Sequence, residues 1–165
     1  MTYEDTTTQV RSARPGRTRR LLVALAAVMA VASFSTVLTG CESTGADRAQ
    51  VAALVNQSRA QAGLRTLKSN LTLDIKADSW AQKMRNACQI SHSRLADGAP
   101  SNWRKLGENV GEGANIAVVH TAYLNSPGHR ANIMDPAFTQ IGTAAVWGNC
   151  DGWKRVFTVQ VFMAT

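Results

Sequence analysis

Three residues in turn-rich segments carry side chains able to do chemistry. They are His92 in Ser91-His92-Ser93, Glu108 in Gly107-Glu108-Asn109, and His129 in Ser126-Pro127-Gly128-His129-Arg130-Ala131-Asn132-Ile133. Two imidazoles and a carboxylate can hold a divalent cation such as zinc, or supply a base and an acid. Their spacing is neither HxxxH nor HExxH, so spacing alone does not establish a metal site. Pro127 fixes φ and lacks a donor, while Gly128 reaches angles closed to other residues; the pair predicts a stiff turn aiming His129 at a cleft. Each residue also has a plainer reading. The Ser-His-Ser run could cap neighbouring backbone, Glu108 could be a structural carboxylate in an ordinary turn, and His129 could cap the helix before it.

Those residues need elements to position them. Asp47 and Gln50 suggest a capping box for a first helix running to about Ala62, with Val51, Leu54, Val55 and Ser58 inward and Gly63 ending it. A second helix is expected from about Leu73 to Cys88, burying Ala77, Trp80, Ala81 and Met84. Residues 89–113, rich in Gly, Ser and Asn, read as one long loop of the kind that is often functional. A third helix follows over about Asn115–Asn125, with His120 as a packing histidine on its inward stripe. Alternation from Phe138 through Trp147, a turn over Gly148–Gly152, and the Val- and Phe-rich run Arg155–Met163 predict a C-terminal hairpin. Helices first and strands last argue for an α+β domain with helices covering an antiparallel sheet. No internal repeat interrupts this order.

The N-terminus reads as an address. Five arginines between Arg11 and Arg20 precede the uncharged apolar run Leu21–Val37, and Leu38-Thr39-Gly40-Cys41 follows. This resembles a bacterial lipoprotein signal, with residues 1–40 removed, Cys41 lipidated, 41–46 a polar tether and 47–165 the domain. A retained membrane anchor is the rival reading, and Arg19-Arg20 leaves open export through the general or the twin-arginine route. If Cys41 carries lipid, Cys88 and Cys150 remain as one disulfide in an oxidising compartment. Five of the 18 basic and two of the 11 acidic residues precede Cys41, so the net charge of +7 falls to about +4 (13 against 9) in the mature chain. That charge is spread out, with no basic stripe interleaved with aromatics, which excludes nucleic acid as the main partner.

Gly107-Glu108-Asn109-Val110, the Ser126–Ile133 run and Phe138-Thr139-Gln140-Ile141-Gly142 together resemble the bacterial branch of the CAP superfamily, also called the SCP-like extracellular domain. Leu54–Arg59, Leu67 through Ala81, and Ser91-His92 extend the likeness over about Asp47–Ala164. The resemblance implies a three-layer α-β-α sandwich with a cleft lined by histidines and acidic residues, which binds a divalent cation in several relatives. It assigns His92 and Glu108 to the cleft, with His129 as the candidate second histidine. The chain departs from the animal and plant pattern in three places. Ala137 stands where the second histidine is found before the Tyr-Thr-Gln run, Ser126 stands near a helix glutamate, and Tyr123 replaces a bacterial-type tryptophan. Asn109, Asn132 and Gln140 are expected in ligand-binding or backbone-fixing roles.

Three functions follow as expectations. The first is a monomeric, membrane-anchored module binding a lipid, peptide or wall glycan, with no cofactor required. The second is a divalent-cation-dependent hydrolase using the same cleft, in which a metal-activated water would attack because no serine or cysteine stands out as a nucleophile. The third is a structural or signalling surface protein with a vestigial cleft.

Overall fold

The computed structural model describes residues 43–165, so the expected signal peptide (1–40) and lipidation at Cys41 lie outside the described residues. Helix α1 spans Gly45–Gln61. Its cap is Thr44, whose hydroxyl accepts from the Asp47 amide (3.0 Å) and donates to the Asp47 carboxylate (2.7 Å). The capping box therefore starts three residues before the one expected at Asp47, because a threonine followed by an acid at N3 satisfies both partners. The short strand β1, Lys68–Ser69, follows in the link between the first two helices. Asn70 caps helix α2, Leu71–Ala87, accepting from the Leu73 amide.

Strand β2, Lys105–Gly113, occupies the end of the expected 89–113 loop. Its Gly-rich, charged sequence hides it from periodicity. The glycines are spatial requirements: a Cβ at Gly111 would sit 2.9 Å from Tyr123, and one at Gly107 2.9 Å from Asn132 and Phe138. Helix α3 is Ile116–Asn125 and helix α4 is Pro127–Met134. The Pro-Gly pair thus opens a helix instead of forming a free turn. Proline at N1 lacks only a donor that would be unsatisfied there anyway, and Gly128 has open space around its Cβ position. Strands β3, Gln140–Cys150, and β4, Trp153–Ala164, form the expected hairpin. Its turn tightens to Asp151-Gly152, both at positive φ (53° and 80°), as a two-residue Asp-Gly hairpin favours.

The sheet order is β1-β3-β4-β2, parallel only between β1 and β3. Side chains from α1, α3 and α4 (Val51, Val55, Ile116, Val119, Tyr123, Ile133) bury one face with Phe138 and Phe162. Leu73, Ala77, Ala81 and Met84 of α2 bury the other with Phe157, Val159 and Val161. This is the three-layer α-β-α sandwich that the family resemblance implies, with the sheet mixed and not wholly antiparallel because β1 runs parallel to β3. Gly142 lets α2 lie against β3, since a Cβ there would come within 2.1 Å of the Leu73 backbone. The Cys88–Cys150 disulfide ties the end of α2 to the end of β3. Arg59, a charged residue without exposed surface, donates to the carbonyls of Ile133 and Asp135 and so secures the end of α4.

Residues 43–46 are not a free tether. Ser43 is buried, its amide donates to Asp78 Oδ1 (2.9 Å), and its hydroxyl accepts from the Ala145 amide of β3 (2.8 Å). Beyond the two residues of β1, the open edge of β3 needs partners; Asp74 takes the Thr143 amide and Ser43 takes that of Ala145.

Candidate functional site

Strand β2 is the sheet edge opposite β1, and its alternation sends neighbouring side chains to opposite faces. Glu108 joins the α2 side. Its buried carboxylate receives three hydrogen bonds: from His92 Nδ1 (2.8 Å), the Ser93 amide (2.9 Å) and the Ser93 hydroxyl (2.6 Å). The side chain of Glu108 is 3 % exposed and that of His92 62 %, so a buried acid holds an exposed imidazole. Lys76 of α2 supports the same loop, its ammonium donating to Ser93 Oγ and to the Arg94 and Asp97 carbonyls. Burial pulls the Lys76 pKa below the usual lysine value, and the nearby Glu108 and Asp97 carboxylates oppose that pull.

Asn109 joins the other side. It has no exposed surface and donates to the His129 carbonyl (3.1 Å) and Gln160 Oε1 (3.0 Å). Asn132 donates to Asn109 Oδ1 and to the Glu108 carbonyl, satisfying the outer edge of β2. His129 lies in the first turn of α4, its ring 4.9 Å from that of Tyr123. Burial, and to a smaller extent repulsion from the His92 imidazole, hold the His129 pKa below the ordinary histidine value. Tyr123 is buried with its hydroxyl 2.8 Å from Thr158 Oγ1, and burial raises its pKa well above the usual tyrosine range.

His92 and Glu108 are thus in direct contact, and His129 is close enough to feel His92. No hydrogen bond among the described residues joins the His129 ring to either. Gln140 lies elsewhere: at the start of β3 it accepts from Asn70 Nδ2 (2.6 Å), the cap of α2. Gln160, unremarked in the sequence because it sits in an apolar strand, takes the place beneath the site. Lys76 also escaped notice, while Ser93, read only as a possible backbone cap, instead donates its amide and hydroxyl to Glu108. His120 is buried as expected, with Nε2 2.8 Å from Ser58 Oγ.

Among the described residues no group of three or more His, Cys, Asp or Glu side chains could hold a metal ion. The reason is visible at Glu108, whose two oxygens are occupied by the His92–Ser93 segment. Two imidazoles are left, one fewer than the protein ligands of a catalytic zinc. The residues present do not fit such a centre. Beside the site, a groove of about 630 Å³ runs along α2, with Ile75, Trp80 and Lys83 on the helix and Ser93, Arg94 and Asp97 on the loop.

The model of the cysteine-rich secretory protein (CAP) family matches residues 52–162. The uncharacterized protein YkwD of Bacillus subtilis (strain 168) is 31 % identical over 121 residues, 68 % of this chain; the chain spans about half (47 %) of that relative. Among solved structures, an extracellular SCP-domain protein from Bacillus anthracis str. Ames is 24 % identical with a TM-score of 0.59, over 72 % of this chain and 40 % of that one. An outer surface protein from Borrelia burgdorferi is 19 % identical with a TM-score of 0.61, over 76 % of this chain and 98 % of that one. Both structures share this chain's fold, and with the family match over residues 52–162 the chain belongs to the CAP family.

Proposed function

We propose that this CAP domain is an exported binding module, held at the outer face of the cell membrane by lipid on Cys41, that takes an amphipathic envelope ligand. Two similar proteins are described as extracellular and as an outer surface protein, which fits export. The observation that carries the binding reading is the continuity between groove and site: Lys76 and Ser93 line the groove and also belong to the Glu108 network. Ile75 and Trp80 offer apolar walls, while Lys83 and Arg94 offer positive charge for an anionic head. That combination favours a lipid over a peptide or an uncharged glycan. Glu108 acts here as a clamp on the His92–Ser93 segment. The test is titration of the purified mature protein with a fluorescent anionic lysolipid, and separately with a peptide and a muropeptide. Saturable lysolipid binding, weakened about tenfold by Trp80→Ala through lost apolar contact, is expected. No saturable binding of any of the three would end the reading.

One observation favours a second reading, a hydrolase. Burial, and then His92, shift His129 toward the neutral imidazole, the form a general base needs. Hydrolysis of an envelope peptide or glycan, abolished by His129→Gln with the fold intact, would establish it in place of the binding module.

A further inference from the structure

The end of the described chain and the outer face of α2 meet at one place. Ser43 is 3 % exposed and held at three points: its amide on Asp78, its hydroxyl under Ala145, and its carbonyl beneath the Arg48 guanidinium (3.1 Å). Only Glu42 separates it from Cys41, and two residues of chain reach at most about 7 Å. Whatever is attached to Cys41 therefore leaves the domain beside Asp78. Asp78 shares a shallow depression with Arg48, Ile75, Ser79 and Gln82. Ile75 also lines the larger groove on the other side, with Thr72, Ser79 and Lys83 at helical spacing. Leu71, one turn before Ile75, is 72 % exposed and Ile75 is 61 %. Ile75 thus presents open aliphatic surface beside Asp78, with Leu71 one turn away on the same helix.

From this we infer that the outer face of α2 docks on the membrane itself, with Leu71 and Ile75 at the level of the lipid headgroups and Lys83 and Arg94 over anionic phosphates. The inference rests on the proposed lipid at Cys41. A long flexible linker would leave the domain free to tumble; two residues do not. An acyl anchor within about 7 Å of Ser43 keeps this face at the bilayer, and the basic groups are attracted to its negative surface. The acidic residues of this face are Asp97 on the loop rim and Asp78, against the cations Lys83, Arg94 and Arg48. The loop bearing His92 borders the same groove, which Ser93, Arg94 and Asp97 line.

The experiment uses the full chain, exported, purified and reconstituted in vesicles of phosphatidylcholine and phosphatidylglycerol at three to one. Intact mass first establishes lipid on Cys41. Nitroxide labels are then placed at Ile75→Cys, at Leu71→Cys and, on the opposite helical layer, at Val118→Cys, which is also exposed. The expected result is a ratio of oxygen to water-soluble nickel-chelate collision rates several-fold higher at 71 and 75 than at 118. Equal ratios at all three positions on a lipidated chain would overturn the docking while leaving the anchor intact. A mass showing unmodified Cys41 would remove the anchor and the docking together.

Discussion

The two sides of strand β2 are built on different principles. On the α4 side, Asn109, Asn132 and Gln160 form a closed set of amides with the His129 carbonyl, without exposed surface at Asn109. On the α2 side, Glu108, Lys76 and Ser93 are charged or hydroxylic and support an imidazole that faces solvent. Amides can donate and accept together, so a sealed network can satisfy itself. A carboxylate with two oxygens and an exposed histidine leaves one ring nitrogen free for something outside. The closed side fixes the strand; the open side leaves the His92 ring at the surface.

Breaking this contrast starts with the covalent tie on the open side. Removing the disulfide by Cys88→Ser with Cys150→Ser should cost about 4 kcal/mol in urea unfolding, as expected for a loop of roughly sixty residues. A loss under about 1 kcal/mol would mean that packing of α2 through Gly142 suffices. On the closed side, Asn109→Ala leaves the Asn132 and Gln160 amides short of partners and should cost about 2–3 kcal/mol by the same measure. Glu108→Gln should be milder, about 1–2 kcal/mol, because an amide retains part of the bonding. Its clearer signature should be faster hydrogen exchange at the Ser93 amide, with exchange in β4 unchanged.

Acid should separate the two sides further. His120 is lowered by burial, and His129 by burial and then by His92. A group whose folded pKa lies below its unfolded one binds more protons when unfolded, so stability falls as pH drops below the unfolded value of about 6.5. Melting temperature should therefore decline from pH 7 to pH 5, and His120→Gln should flatten that slope. The smallest effect should come from His92→Ala, within about 0.5 kcal/mol, since its ring is mostly in water. A larger loss would show that His92 supports the fold and does not merely extend from it.

Much of the architecture was legible. Helical stripes at Val51/Val55 and Ala77/Ala81/Met84, and the alternating C-terminal runs, carry their burial in their periods. Strand β2 was not, because Lys105–Gly113 pairs glycines with carboxylates, and its strand character comes from β4 alongside it. The SPGH run marked the family well but suggested a turn where a proline at N1 starts α4. His92 and Glu108 were legible as chemical candidates. The amide lattice below them was not, since Gln160 and Asn109 are 51 residues apart and join only through strand register.

The sequence by itself determined the α+β order of elements, the cysteine pair, and the residue types at the cleft. These follow from local period, residue chemistry and counting. Only the tertiary structure decided that Glu108 is occupied by the loop it holds, that the His129 carbonyl is held by Asn109, and that Ser43 is locked beside Asp78. Each of those depends on which backbone lies against which. Burial and register between distant segments set that, and no local window of residues contains them.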